Sequence, residues 1–278
     1  AVAGEATFET VTYALVDMSA SMGLAADESN RAKMESYTSM RTGGALVCAF
    51  ACHILEGWEP EPVSTYQYAK DGGILLREDN LRDAFNNFLN TYMNPAGASV
   101  AANMKKMAVV GFSDNALMLQ LPTIGLADLK ASLARFPNNK RVNSRHDLAL
   151  AELETMMGPQ GDGSPGNPKK MVLLITDGVQ WVRNGDSKPN GVVRKPDCQK
   201  LKAAGYPITV LDVKYQENKG EYWFETHVRP FFTEITPALK DCASPGMYFT
   251  ADDSDMTSLR TALDKVGAAM KAQLSLSR

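Results

Sequence analysis

The stretch Tyr13-Ala-Leu-Val-Asp-Met-Ser-Ala-Ser-Met-Gly23 decides how the rest of the chain is read. A short apolar run leads into Asp17, and Ser19 and Ser21 follow at alternate positions. Such a run, bounded by turn-forming residues, reads as a buried strand over 12–16. Asp17, Ser19 and Ser21 then leave the strand's carboxyl end together. In open α/β sheets, ligands bind just beyond those ends. One carboxylate and two hydroxyls offer oxygen only, which suits a hard divalent cation such as Mg²⁺, Mn²⁺ or Ca²⁺. Alone, the same letters also describe a polar turn, because Asp and Ser cap the passage from strand to helix.

A second strand end separates the two readings. Met171-Val-Leu-Leu-Ile-Thr-Asp-Gly178 is another apolar run, and Gly178 lets the backbone turn sharply after Asp177. Asp177 is then placed like Asp17, on the same edge of a parallel sheet. Between them, Arg141-Val-Asn-Ser-Arg-His-Asp-Leu-Ala-Leu150 is a polar loop entering an apolar helical pattern. It offers the hydroxyl of Ser144. Asp17, Ser19, Ser21, Ser144 and Asp177 are therefore the candidate cation ligands.

These residues resemble the metal-ion-dependent adhesion site (MIDAS) of von Willebrand factor A domains. That family carries D-x-S-x-S after its first strand, a Thr on a middle loop and an Asp after its fourth strand, and the order here agrees. Met107-Ala-Val-Val-Gly-Phe-Ser-Asp-Asn-Ala-Leu-Met-Leu-Gln-Leu121 resembles the family's second and third strands. Ser144 stands where the family usually has Thr, and keeps the hydroxyl without the methyl. The resemblance implies a divalent cation, Mg²⁺ first with Mn²⁺ or Ca²⁺ as alternatives, and a protein partner that presents an Asp or Glu.

Composition narrows the classes. The chain has 278 residues, 44% hydrophobic and 22% charged, which is ordinary for a globular protein with a sizeable core. A net charge of −3 with both signs interspersed gives no basic face, so nucleic acid is not an expected partner. No apolar stretch is long enough to span a bilayer. The first ten residues are too short and polar for a signal peptide. They read as a processed or truncated start, and a membrane connection is expected only through an anchor missing from this sequence.

Along the chain, strands alternate with helices. The expected fold is α/β: a doubly wound, mostly parallel sheet flanked by helices, with one antiparallel edge hairpin strand. A helical stretch is expected over 29–55, kinked or divided at Gly43 and Gly44. A single domain with an insertion at about 57–106 is the expected organisation. Within the insertion, Leu81, Ala84, Phe85, Phe88 and Leu89 fall on one face of a helix over 80–92. A satellite lobe packing that face, or an aromatic partner surface, are the two readings of this segment. The Gly- and Pro-rich stretch 158–168 reads as a mobile surface loop, and 184–191 as a polar loop. Further expectations are a buried strand over 207–213, a short edge strand over 248–250 and a closing helix over 256–273 capped by Asp253 or Ser254.

The four cysteines form two pairs. Cys48 and Cys52 would share a face of a helix over 44–55, read as small buried residues ahead of a bridge or metal pair. Cys198 and Cys242 each sit at the edge of an element, and a disulfide between them is the expectation. It would place the protein in an oxidising compartment. Lys240-Asp-Cys-Ala-Ser-Pro-Gly-Met-Tyr-Phe-Thr-Ala251, followed by an acidic turn and a last helix, is similar to the C-terminal part of TadG-like proteins of Tad/Flp pilus assembly. Those proteins carry a von Willebrand factor A domain behind a membrane anchor and tend to pair cysteines at these two places. The resemblance implies an adhesion or pilus-assembly module, periplasmic or at the cell surface, that is not an enzyme.

Two alternatives stand beside it: a metal-dependent hydrolase, and a structural module with a vestigial metal site. Against the first, the site lacks an evident base. His146 reads as a surface or capping residue, and His227 has no partner that the sequence identifies. Hydrolases with a strand-end aspartate nucleophile usually need a second Asp two residues on, where this chain has Ser19. No G-x-G-x-x-G follows the first strand, which excludes a dinucleotide site of that type.

Overall fold

The computed structural model describes residues 8–51, 54–55, 63–93, 105–135, 143–181, 191–219, 221–252 and 254–276. Its strands are β1 (Thr10–Asp17), β2 (Ile54–Leu55), β3 (Val63–Ser64), β4 (Lys105–Phe112), β5 (Ala116–Thr123), β6 (Lys169–Thr176), β7 (Val179–Gln180), β8 (Gly191–Val192), β9 (Ile208–Val213) and β10 (Tyr248–Ala251). Its helices are α1 (Glu28–Arg41), α2 (Thr65–Asp71), α3 (Arg77–Met93), α4 (Leu126–Leu133), α5 (His146–Met157), α6 (Lys195–Ala203), α7 (Ile235–Cys242) and α8 (Met256–Leu276). The main sheet has the order β10-β9-β6-β1-β4-β5. Every neighbouring pair is parallel except β4 with β5, the antiparallel edge hairpin.

Strands β1 and β6 lie in the middle and are covered on both faces, so they read as continuous apolar runs. Ala14, Val16, Leu173 and Ile175 face one core, which they share with α3, α4 and α8. Leu15, Tyr13, Val172 and Leu174 face the other, against α5, α6 and α7. Each face of each strand is used, as the two-residue side-chain period requires.

The helix expected within 57–106 is α3, and its predicted apolar face is buried. Leu81, Ala84, Phe85, Phe88 and Leu89 pack in the main core with Leu259, Leu263, Val266 and Met270 of α8. A smaller cluster lies beside it, built from Leu24, Met34, Ala49, Ala69, Ile74 and Leu76.

The helical expectation for 29–55 is corrected. Helix α1 ends at Arg41, and Gly43 and Gly44 adopt φ of 57° and 86°. This left-handed pair ends the helix at no steric cost. The chain that follows is extended: Ala25 N–H donates to Ala49 O at 3.1 Å and Ala51 N–H to Gly23 O at 2.8 Å. Cys48 is buried there, its N–H bonded to Thr38 Oγ1 at 2.9 Å. Cys52, Asp253 and the loop 182–190 lie outside the described residues.

The loop 158–168 is tied down rather than loose. Gln160 Nε2 donates to Lys170 O and Gly205 O, both at 2.8 Å, and Gly163 N–H to Asn167 O at 2.9 Å. Cys198 on α6 and Cys242 at the end of α7 form a disulfide with a Cα–Cα distance of 5.1 Å. Among the described residues, no helix is long and apolar enough to cross a membrane.

Candidate metal centre

Register brings the two strand ends together. Val16 pairs with Ile175, so Asp17 and Thr176 leave the sheet side by side. Thr176 Oγ1 donates to Asp17 Oδ2 at 2.6 Å, and the other oxygen, Oδ1, accepts from Ser19 N–H at 2.9 Å. The carboxylate is thereby fixed at both oxygens. The chain then turns through a short 3₁₀ segment, Ala20–Gly23, which brings Ser19 Oγ and Ser21 Oγ to 3.0 Å from each other.

Ser144 enters from the loop before α5. Its N–H donates to Trp181 O at 2.9 Å, Trp181 N–H returns a bond to Ser144 O at 3.2 Å, and Arg145 N–H donates to Ser113 O at 2.8 Å. These bonds pin the loop between the β4–β5 turn and the segment after Asp177. Ser144 Oγ lies 3.4 Å from Asp17 Oδ2. Asp177 is placed by the turn at Gly178, whose φ is 76°. A Cβ there would lie 2.8 Å from Leu239 Cδ1 and 2.9 Å from Ile235 Cγ2, so both conformation and space call for glycine. All five predicted residues thus gather at one sheet edge. Four are buried, and Ser21 is half-buried, which leaves it nearest to solvent.

Two residues of the site escaped sequence reasoning. Arg77, the first residue of α3, is 0% exposed. Its Nη1 donates to Asp177 Oδ2 and to Ser21 O, both at 3.0 Å. Its Nη2 donates to Val213 O at 2.9 Å and Lys214 O at 3.2 Å, where β9 ends. No motif marks it, because it reaches the site from a helix start far along the chain. A buried cation at a helix N-terminus, where the dipole disfavours it, is the physical signal of its engagement.

His146 is the second, and its reading as a surface residue is corrected: it is 0% exposed and packs edge-on to Phe112. Its Nε2 is 2.8 Å from Thr176 Oγ1. Thr176 gives its only hydroxyl proton to Asp17, so His146 must donate from Nε2–H. Burial lowers the His146 pKa, against the opposing pull of Asp17, which keeps the ring neutral at neutral pH. His227 also gains partners: its ring centroid lies 4.9 Å from Trp181 and 4.6 Å from Trp223.

Burial pushes the Asp177 carboxyl up to about 6, although Arg77 pulls the other way. The carboxyl faces the guanidinium, with Oδ2 3.0 Å from Arg77 Nη1.

The donor set fits a hard cation. Adjacent oxygens of an octahedron at magnesium distances lie about 2.9 Å apart, and the two serine hydroxyls stand at 3.0 Å. Among the described residues, no three His, Cys, Asp or Glu side chains gather as a metal cluster. Hydroxyls make up most of this cradle, and oxygen donors suit a hard cation. Asp17, Ser19, Ser21 and Ser144 would hold the ion, with Asp177 beside them as a second carboxylate.

No protein-family model matches the sequence, and no curated protein does. Solved structures do match in fold. The von Willebrand factor domain of the type V pili tip protein Mfa5 from Porphyromonas gingivalis matches with a TM-score of 0.55 at 11% identity, covering 96% of this chain and 97% of that one. The pilus adhesin SpaC from Lactobacillus rhamnosus GG, in its open conformation, matches with a TM-score of 0.51 at 14% identity, over 97% of this chain and 30% of that one. Proximal thread matrix protein 1 from the mussel byssus, with a zinc-occupied MIDAS motif, matches with a TM-score of 0.50 at 16% identity, over 94% of this chain and 48% of that one. The chain spans less than half the length of the latter two. The fold of this protein is that of a von Willebrand factor A domain.

Proposed function

We propose that this chain is a metal-dependent protein-binding module of the bacterial cell envelope, acting in adhesion or in Tad-type pilus assembly. The observation that carries the reading is the pair of serine hydroxyls 3.0 Å apart beside Asp17, at the edge where β1 and β6 end. A hard cation held there, Mg²⁺ foremost, would keep an open position that accepts a carboxylate oxygen of a partner's Asp or Glu. Adhesins and a pilus tip protein share the fold. The Cys198–Cys242 disulfide fits an oxidising compartment outside the cytoplasm. The pilus-assembly role rests on the Cys-Ala-Ser segment around Cys242 and its pairing with Cys198.

A hydrolase reading lacks a base. His146 is the nearest imidazole, and its Nε2–H is spent on Thr176. Arg77 favours a different second reading, in which the guanidinium stands in for the cation and the module is structural. Calorimetry with Mg²⁺, Mn²⁺ and Ca²⁺ separates them. Saturable binding by the native chain that disappears in Asp17→Ala supports the binding module, and no binding by the native chain defeats it. Metal-dependent turnover of a phosphoester, lost in the same variant, would favour the enzyme.

A further inference from the structure

Strands β1 and β6 end at the candidate metal centre. With β4 they start at the opposite edge of the sheet, and lysines gather at those starts. Thr10 of β1 pairs with Lys105 of β4 and with Lys169 of β6, and Val11 pairs in the same way with Lys106 and Lys170. Neighbouring strands lie about 4.8 Å apart, so the lysines of each pair straddle β1 at roughly 10 Å. The alternation of side chains puts Lys105 and Lys169 on one face and Lys106 and Lys170 on the other. Helix α8 adds a fifth: Lys271 Nζ and Lys105 Nζ lie 5.8 and 5.6 Å from the centroid of the same Tyr92 ring. Charges that the sequence intersperses are thus sorted by the register into a basic edge.

These lysines are built into the fold. Lys169 Nζ lies 5.5 Å from the centroid of the Phe8 ring, and Lys170 Nζ donates to Pro159 O. All five are half-buried. Their alkyl stems cover apolar surface, and such side chains keep the ammonium head in water. The carboxylates nearby do not balance them. Glu154 pairs with Lys200 at 2.7 Å, and Asp128 shares α4 with Lys130. Glu9 and Asp162 remain, with Glu5 ahead of them in the sequence, against the five lysines. The stretch 94–104, which leads into Lys105, carries no charge.

A basic edge on a chain of net charge −3 suits an anionic surface that is met locally. Screening confines such attraction to groups within about 10 Å of the surface at ordinary ionic strength, so the edge decides and not the net charge. Nucleic acid fits less well. Its binders offer exposed aromatic rings or an element that enters a groove, whereas Tyr92 is 2% exposed beneath its lysines. The Cys198–Cys242 disulfide fits a compartment outside the cytoplasm, where membranes supply anionic phosphate and nucleic acid does not. We propose that this edge docks on anionic phospholipid headgroups. The sheet then stands with its strand starts toward a bilayer and its strand ends away from it. At about 3.3 Å per residue, an eight-residue strand such as β4 spans roughly 26 Å. The candidate metal centre then faces outward at about that height, where a partner can reach it. Only this last step rests on the metal-binding reading above; the docking edge does not.

Co-sedimentation of the native chain with vesicles tests this, without added divalent cation, so that the result does not depend on the metal site. The vesicles are phosphatidylcholine alone or with about 30% phosphatidylglycerol, in about 0.05 M and about 0.5 M sodium chloride. Binding is expected to the phosphatidylglycerol vesicles, in the dilute salt alone. Lys105→Gln and Lys169→Gln should each weaken it about fivefold, the effect of losing one lysine at a charged bilayer. Lys105→Arg keeps the charge and should bind as the native chain does, which separates charge from damage to the packing on Tyr92. Lys219→Gln makes the same change of net charge beyond β9, at the other end of the sheet, and should leave binding unchanged. Equal sedimentation with both kinds of vesicle, or none with either, overturns the inference. So does equal weakening by Lys219→Gln, or tighter binding to duplex DNA than to the vesicles at the same salt. Should Lys105→Gln not fold, Lys169→Gln and the salt dependence of the native chain decide the matter.

Discussion

Thr176 Oγ1 lies 2.6 Å from Asp17 Oδ2, and this one hydrogen bond ties the ends of the two central strands together at the candidate site. The same oxygen accepts from His146 Nε2–H at 2.8 Å and from Gly178 N–H at 3.0 Å. A single buried hydroxyl thus orients the Asp17 carboxylate, fixes the imidazole tautomer and shapes the turn that places Asp177.

Thr176→Val keeps the shape and removes all three bonds. Two donors and one carboxylate oxygen would lose a partner in a dry setting, at a cost of about 1–3 kcal/mol in stability. Cation affinity should fall roughly 10- to 100-fold, the usual effect of losing a group that orients a metal ligand. Urea denaturation and Mn²⁺ calorimetry on the same variant check both. Thr176→Ser, which retains the hydroxyl, should recover most of the affinity.

Gly178→Ala should destabilise the protein by about 1–3 kcal/mol, through a left-handed backbone and a collision with Leu239 and Ile235. Because the turn carries Asp177 against Arg77, the substitution should also weaken cation binding. A variant with native thermal stability would contradict the close approach of α7 to this turn.

Much of this fold is legible because two central strands are buried on both faces, and so stand out as apolar runs that end abruptly in Asp17 and Asp177. Leu81, Ala84, Phe85, Phe88 and Leu89 were legible for a related reason, since a helix with one buried face repeats its apolar residues at helical spacing. The stretch 44–55 misleads because a short run of Ala, Leu, Val and Cys suits either a helix or an extended buried segment. Its pairing with Gly23–Ala25 decides the outcome, and that is a tertiary fact. Arg77 was hidden for the same kind of reason. Its contacts, Ser21, Asp177, Val213 and Lys214, come from three other parts of the chain, and only folding assembles them.

The Cys198–Cys242 bridge spans a sequence separation of 44. In the chain-entropy account, a loop of that size contributes about 4 kcal/mol. Peptide mapping after alkylation under denaturing, non-reducing conditions should find both cysteines unmodified. The Cys198→Ala, Cys242→Ala double variant should lose roughly 2–5 kcal/mol in urea denaturation. Alkylation of both in the native chain would refute the bridge.

Asp79 gives a signed pH dependence. Burial pushes its carboxyl up, but the bonds from Lys70 and Leu76 N–H and the charge of Arg82 outweigh that, and the net shift is downward. A carboxyl depressed in the folded state stabilises the fold above its ordinary value of 3.8, and the contribution is lost as pH falls through the folded value. The urea midpoint of the native chain should therefore drop steeply in acid below about pH 4. Asp79→Asn should be less stable at neutral pH by about 1–2 kcal/mol and show a shallower acid slope. Parallel slopes for the two proteins would rule out Asp79 as a source.

Trp181 offers an optical reading of the site. Its backbone exchanges two hydrogen bonds with Ser144, and its ring lies 4.3 Å from that of Trp223 and 4.9 Å from that of His227. A cation drawn to Ser144 Oγ shifts that loop against the indole, and indole emission responds to small changes in neighbouring rings and charges. Addition of Mg²⁺ or Mn²⁺ should therefore change the emission saturably, with a midpoint that matches calorimetry. Trp181→Phe should abolish most of the change while leaving the calorimetric affinity within about threefold, because the main-chain bonds to Ser144 survive the substitution. An emission change that persists undiminished in Trp181→Phe would show that the cation acts elsewhere than at the Ser144 loop.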